Sequence, residues 1–143
     1  AETEKGLSDA KASAAEMTRF IVQTKDGKKV GMAAHFNAST LYPWMEIGFG
    51  MLPSERGKGY AAEAAQILVD YLFLTREIER VQATAAAGNV ASQKVLLKAG
   101  FRKEGDIRSA LFVRGCFVDC VRFSVLRDEW KAPHILETPG ADG

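Results

Sequence analysis

The sequence is short of the residues that identify several classes of protein. It has only two cysteines and two histidines in 143 residues, and it contains no HExxH motif and no CxxC pair. Because those are the usual ligand patterns, we expect no zinc site and no other metal. If Cys116 and Cys120 share a strand, they lie about 13 Å apart, beyond disulfide reach, which predicts free thiols.

Long hydrophobic runs and an excess of one charge are also absent. No apolar run approaches the roughly 20 residues of a membrane span, and residues 1–6 lack the apolar stretch of a secretory signal. Together with free thiols, this predicts a cytoplasmic protein without a membrane partner. The formal net charge is +1, too balanced for a general electrostatic attachment to nucleic acid. Any anionic ligand must therefore be bound locally.

What is present is the composition of one globular domain. The chain is 47% hydrophobic and 26% charged, which is ordinary for a folded domain of this length. We expect residues 1–143 to form a single domain. Within it, residues 1–17 are a variable N-terminal segment, and residues 131–143 are a flexible tail because they are rich in proline and glycine.

Hydrophobic periodicity and turn residues predict an α/β fold. Asp26 and Gly27 predict a hairpin turn, Asn89 is a good helix N-cap, and Gly100 is typical of a helix end. The predicted elements, in order, are strands 18–24, 28–36 and 44–52, a helix 59–75, a strand 80–86, a helix from Asn89 to Gly100, and strands 101–107 and 116–126. The strand, helix and strand in the middle imply a right-handed parallel crossover within an otherwise antiparallel, mixed sheet.

The segment from Met51 to Ala61 carries the clearest chemical signal. It ends a strand, turns through Gly57 and Gly59 and opens a helix, so several backbone N–H groups point outward. Such a helix start binds phosphate or pyrophosphate without a positively charged protein. A Walker loop is excluded because no glycine lies five residues before Gly57 and no Ser or Thr follows Lys58. A dinucleotide-binding loop fits poorly, since the next strand lacks the acidic residue that would hold a ribose.

A third pattern fits better. Arg56, Gly59 and Ala61 form Arg-x-x-Gly-x-Ala, which resembles the acetyl-CoA loop of the GNAT N-acetyltransferase superfamily. The motifs around it, in order, are Glu-Ile-Gly-Phe at 46–49, Asn-Val-Ala-Ser at 89–92, Lys-Ala-Gly-Phe at 98–101 and Asp-Glu-Trp at 128–130. This set is similar to the RimJ/RimL branch, whose members acetylate ribosomal-protein N-termini, small amines or antibiotics.

The resemblance covers about residues 19–130 and implies a fold and an activity. The fold is a GNAT-like mixed, mostly antiparallel sheet with a central β-α-β crossover and flanking helices. The family usually begins with a strand and helices, and here these are shortened. Either the sequence is a shortened form or a neighbouring chain completes the acceptor groove, and an exposed sheet edge favours a homodimer. The implied reaction is acetyl transfer from acetyl-CoA to a primary amine, either a protein N-terminal α-amine or a small-molecule amine.

By resemblance, the cofactor contacts fall on three segments. The backbone of one strand pairs with the pantetheine amides, the glycine loop holds the pyrophosphate, and the start of the second helix contacts the cofactor arm. The implied residues are Phe49, Gly50, Met51, Arg56, Gly57, Lys58, Gly59, Tyr60, Ala61, Ala62, Asn89 and Ser92. If the loop's backbone N–H groups dominate, substitution of Arg56 alone weakens binding only modestly.

Two residues are candidates for proton transfer. Many superfamily members carry a tyrosine that protonates the leaving thiolate, but Leu96 occupies that position here, and Ser92 is a proposed substitute that could instead be a plain helix-start serine. Glu46 is the best-placed general base, because burial could raise its pKa. It could equally pair with a basic neighbour, with water relaying the proton. His35 is more simply a structural histidine.

The sequence therefore predicts direct transfer in a ternary complex with main-chain donors stabilising the oxyanion. Cys116 and Cys120 have no adjacent histidine to activate them, so no covalent acetyl-enzyme is expected. Two alternatives remain open, namely a non-catalytic CoA-binding or interaction domain and a dinucleotide-binding module.

Overall fold

The computed structural model describes residues 17–130 and Pro133. The predicted N-terminal segment and C-terminal tail lie outside these residues, apart from Met17 and Pro133. The described chain forms six strands and two helices joined by short turns. They are β1 (Met17–Gln23), β2 (Lys29–Asn37), β3 (Trp44–Met51), α1 (Tyr60–Thr75), β4 (Arg80–Ala86), α2 (Val90–Lys98), β5 (Arg102–Val113) and β6 (Cys116–Leu126).

The strands form one mixed sheet in the order β1-β2-β3-β4-β6-β5. In the described part of the chain the one parallel pair is β3 with β4, which α1 connects, and the other neighbours are antiparallel. The predicted crossover and mixed sheet are therefore confirmed. The first hairpin turns at Gly27, whose φ of 90° suits glycine, and its N–H donates to the Thr24 carbonyl at 2.9 Å.

The two faces of the sheet differ in chemistry. Alternate residues of β3 and β4, such as Ile47 and Val81, share one buried cluster with Leu72 of α1 and Leu96 of α2. Both helices therefore cover the same face. Because successive residues of a strand point to opposite faces, Glu46 lies on the other side, which we call the open face.

The last hairpin differs from its prediction. The strand expected at 101–107 runs from Arg102 to Val113, so only Arg114 and Gly115 remain as the turn before β6. The pairing register shifts between Ile107 and Leu111, and Ser109 there has a φ of 48°. This bulge absorbs the extra residues while the ladder continues, and the Ser109 N–H donates to Asp119 Oδ1 at 2.8 Å.

Arg127, just after β6, ties down the C-terminal end of α1. Its guanidinium donates to the carbonyls of Phe73 at 3.1 Å, Arg76 at 2.7 Å and Ile78 at 2.8 Å. The last carbonyls of a helix have no intrahelical partner, so this side chain satisfies that of Phe73 and also two acceptors in the segment that follows α1. Trp130 adds a second link, since its indole N–H donates to Asp70 Oδ1 at 2.8 Å.

Neither helix of the described chain has the length and apolar character needed to cross a bilayer. The same residues contain no cluster of three or more His, Cys, Asp or Glu side chains that could hold a metal ion.

Candidate active site

The parallel strands β3 and β4 separate partway along their length. Their pairing consists of three residue pairs and ends at Glu46 opposite Gln82. Beyond that point β3 continues against β2 as far as Met51, while β4 continues against β6 as far as Ala86. The two strands therefore diverge and leave a wedge-shaped gap at their C-terminal ends.

The loop after β3 brings a set of backbone donors to this gap. A short 3-10 turn at Pro53–Glu55 is followed by Gly57 and Gly59, whose φ values are 78° and 84°. The first bond of α1 runs from the Glu63 N–H to the Gly59 carbonyl at 3.2 Å. Within residues 17–130, the N–H groups of residues 57–62 have no hydrogen-bond acceptor from the protein. They form a donor array of the kind that binds phosphate oxygens.

A cleft of about 430 Å³ lies between this loop, the end of β3 and the start of α2. It is lined by every residue that the sequence assigned to cofactor binding except Lys58, whose ammonium lies 3.0 Å from a carboxylate oxygen of Glu55. The lining residues are Phe49, Gly50, Met51, Glu55, Arg56, Gly57, Gly59, Tyr60, Ala61, Ala62, Asn89, Ala91, Ser92, Lys94, Val95 and Lys98. The fold thus brings together three segments that are far apart in sequence.

Two lysines in this lining were missed by sequence reasoning. Lys94 and Lys98 are four residues apart on α2, which places them on one side of that helix, and both line the cleft. The ammonium of Lys98 lies 3.6 Å from the position that a Cβ on Gly59 would take. The four-residue spacing of these lysines could have predicted them, because they follow the N-cap residue Asn89, which the sequence had placed beside the loop. Together with Arg56 they give the cleft local positive charge in a nearly neutral chain.

The start of α2 forms as predicted. Asn89 Oδ1 accepts a hydrogen bond from the Ser92 N–H at 3.1 Å, so the N-cap prediction is confirmed. Gln93 Nε2 donates to the Ala87 carbonyl at 3.0 Å and fixes the helix against the end of β4. Leu96 is 1% exposed and packs into the core. The apolar side chain at this position offers no hydroxyl to a ligand.

Glu46 lies at the apex of the gap, on the open face. Its carboxylate accepts a hydrogen bond from Gln82 Nε2 at 2.7 Å, and Gln82 Oε1 in turn accepts from Arg80 Nη2 at 2.9 Å. Arg80 is neutralised by Glu104 at 2.5 Å and stacks over the Trp44 ring. The sequence left open a basic partner for Glu46. Arg80 is linked to Glu46 only indirectly, through the neutral amide of Gln82.

The other titratable side chains named in the sequence lie elsewhere. His35 is 2% exposed, pairs in register with Ile47 and contacts the rings of Phe20 and Tyr71. It thus faces the helices, and burial lowers its pKa. Both cysteines are free thiols, as predicted. Neither lines the cleft.

The cleft suits an elongated ligand that carries an anionic group at one end and an extended arm at the other. A Cβ built on Gly50 or Gly57 would meet no protein atom within 4 Å, so at both positions the missing side chain leaves open space rather than a packed contact. Donors at the helix start suit a diphosphate, and the unpaired edges of β3 and β4 suit an arm with amide groups. An α/β domain with a split parallel pair and unpaired helix-start donors beside it has the features expected of a domain that binds a phosphorylated cofactor.

Comparison with known proteins assigns the family. Residues 1–102 match the family model described as an acetyltransferase (GNAT) domain. The chain is 36% identical over 106 residues to the "Putative ribosomal N-acetyltransferase YdaF" of Bacillus subtilis, covering 74% of this chain and 58% of that protein. This chain belongs to the GNAT acetyltransferase family.

Two further relatives agree with this assignment. The spermidine N(1)-acetyltransferase of Escherichia coli K12 is 26% identical over 122 residues, covering 85% of this chain and 64% of that protein. The structure of Mycobacterium smegmatis RimJ in complex with CoA-disulfide superposes with a TM-score of 0.77 at 29% identity, covering 93% of this chain and 64% of that one. The predicted GNAT fold and RimJ/RimL-like resemblance are confirmed. The chain spans about three fifths of the length of these relatives.

Proposed function

We propose that this domain transfers an acetyl group from acetyl-CoA to a primary amine, by direct transfer in a ternary complex. The observation that carries the proposal is the coincidence of two features. The parallel pair β3 and β4 opens beyond Glu46, and the opening meets a helix start whose N–H groups at residues 57–62 have no acceptor within the described chain.

Each part of the cleft has a role in binding. The N–H groups from Gly57 to Ala62, with Arg56 beside them, hold the diphosphate, because helix-start donors favour anions. Lys58 contributes its backbone N–H, since Glu55 holds its ammonium. The exposed backbone of Phe49, Gly50 and Met51 pairs with the pantetheine arm. Asn89 and Ser92 face that arm from the start of α2. Lys94 and Lys98 supply further positive charge.

Acetyl-CoA supplies an activated acyl group as a thioester. In the transfer, the amine nitrogen forms a bond to the acetyl carbon, the carbon–sulfur bond breaks, the amine loses a proton and the thiolate gains one. An unperturbed primary amine is mostly protonated at neutral pH, so a base must take its proton first. Glu46 is positioned for that step because it lies at the apex of the gap. The Ser92 hydroxyl donates a hydrogen bond to the sulfur.

The acceptor enters from the open face. That face carries Glu46, and the stacked rings of Tyr42 and Trp44 lie at the start of β3. The names of two relatives, a putative ribosomal N-acetyltransferase and a spermidine N(1)-acetyltransferase, favour two acceptor classes: an amine of the ribosome and a polyamine. Because two free thiols suit a reducing compartment, we propose that the acetyl transfer takes place in the cytoplasm.

The test combines binding and turnover. Calorimetry measures CoA affinity, and free-thiol release from acetyl-CoA is followed with a panel of N-terminal peptides and polyamines. We expect micromolar binding and acceptor-dependent thiol release. Glu46→Gln should lower kcat by about a hundredfold or more, the usual range for a lost general base, with CoA affinity unchanged. Glu104→Gln is the matched control, because it removes a carboxylate from the same polar network without facing the gap.

The alternative is a CoA-binding domain without catalysis, which the buried Leu96 favours because it offers no proton to a thiolate. CoA binding without thiol release across the whole panel would support that alternative. Absence of CoA binding by folded protein would reject both.

A further inference from the structure

Glu55 is a buried carboxylate in a loop that, on the proposed function, binds a diphosphate. It is 4% exposed and ends the 3-10 turn between β3 and α1. Loops that bind anions by their backbone gain nothing electrostatically from a nearby negative charge. The sequence offers no role for this residue, and its burial therefore needs a physical reason.

The contacts of Glu55 supply that reason. One carboxylate oxygen lies 2.5 Å from the ammonium of Lys28, in the turn between β1 and β2. The other lies 3.0 Å from the ammonium of Lys58, inside the loop itself. These bonds hold the pKa of Glu55 below its ordinary value, so the carboxylate is charged at neutral pH. One side chain thus bonds both to the first hairpin, at Lys28, and to the later part of its own loop, at Lys58.

Backbone hydrogen bonds also link the first hairpin to the loop. The Leu52 N–H donates to the Val30 carbonyl at 2.9 Å, which continues the link between hairpin and loop. The Glu55 N–H closes the 3-10 turn on the Leu52 carbonyl at 2.8 Å. From this anchored turn the chain passes directly into the two positive-φ glycines of the donor array.

We propose that Glu55 is a positioning residue for acetyl-CoA: by holding Lys28 and Lys58, it fixes the loop in the conformation in which residues 57–62 present their N–H groups together. This inference rests on the proposed function. It predicts that Lys28 of the first hairpin affects cofactor affinity, although it does not line the cleft, and that this effect acts only through Glu55.

The direction in which one substitution changes CoA affinity distinguishes a positioning role of Glu55 from a purely electrostatic one. Glu55→Gln removes a negative charge next to the diphosphate site, so electrostatics alone predicts tighter CoA binding. Positioning predicts weaker binding, by about tenfold, since partners in one ion-pair network commonly couple at this level. The expected result is a raised Kd for CoA by calorimetry and a raised KM for acetyl-CoA, with kcat nearly unchanged.

Lys28→Met provides the second arm and Lys29→Met its matched control, because both remove one positive charge from the same hairpin. We expect Lys28→Met to weaken CoA binding several-fold, Lys29→Met to have little effect, and the double variant of Lys28 and Glu55 to be no weaker than Glu55→Gln alone. Circular dichroism confirms folding for each variant, and Lys28→Arg should restore affinity.

The outcomes are distinguishable. If the wild-type protein binds no CoA, the proposed function fails. If the wild-type protein binds CoA and Glu55→Gln binds it as tightly or more tightly, the positioning role is wrong. Should Glu55→Gln not fold, equal effects of Lys28→Met and Lys29→Met on CoA affinity would overturn the inference by themselves.

Discussion

The clamp formed by Arg127 gives a direct test of how the end of α1 is held. In Arg127→Met, the three carbonyls of Phe73, Arg76 and Ile78 lose their donor. Methionine keeps an apolar contact with the Phe73 ring, over which the guanidinium now lies at 5.0 Å. The substitution therefore isolates the hydrogen bonds from the packing.

The magnitude follows from the number of bonds and from where they lie. A hydrogen bond from a charged donor contributes about 1.5–3 kcal/mol, but bonds that share one donor group are not additive. Arg127 is only half-buried, so water can reach part of the site. We expect a loss of about 2–4 kcal/mol in the free energy of unfolding, a large share of the stability of a domain this size.

Urea denaturation measures this loss. With a slope of about 2 kcal/mol per molar, in the middle of the usual range for urea, the midpoint should fall by about 1–2 M with the slope unchanged. Arg102→Met is the control. Arg102 donates to the carboxylate of Glu129 at 2.8 Å, but its side chain is 79% exposed, so its loss should shift the midpoint only slightly. A midpoint for Arg127→Met no lower than that of Arg102→Met would refute the reasoning.

Three further predictions concern the histidine, two glycines and the loop arginine. Because burial lowers the pKa of His35, this imidazole takes up a proton more readily in the unfolded chain than in the folded one. The free energy of unfolding should therefore fall as the pH drops below about 6.5. His35→Phe should weaken this pH dependence, as measured by urea titrations at pH 5 and 8. Gly31→Ala should lower the free energy of unfolding by about 1–3 kcal/mol, since its Cβ would overlap the Gly50 carbonyl. By contrast, Gly50→Ala should keep the melting temperature of the wild-type protein yet bind CoA less tightly. Arg56→Ala should raise the Kd for CoA only a few-fold by calorimetry, because backbone donors carry the contact.

Local rules predicted the order of the elements well. The Asp-Gly turn at Gly27, the N-cap at Asn89 and the left-handed Gly100 all occur as expected, because each is fixed by residues within one turn of it. The motif set also led to the right family. The confirmed features depend on neighbours in sequence.

The features that escaped prediction depend on partners far away. β5 runs past 107 because a bulge at Ser109 is bonded to Asp119 of the next strand, which no window of residues reveals. The partner of Glu46 is Gln82, thirty-six positions later. Likewise, Glu55 looks like a solvent-exposed loop residue until the hairpin lysine is brought beside it.

The short pairing of β3 with β4 divides the sheet into two three-stranded halves, β1-β2-β3 and β4-β6-β5, joined by three residue pairs. Few backbone hydrogen bonds cross this joint, so the two halves depend on the apolar cluster that they share beneath α1 and α2. A molecule lying in the gap and bonded to both halves would supply the rungs that the ladder lacks there. The cofactor would then serve as a structural member as well as a reactant, and it should raise the melting temperature of the domain as a whole.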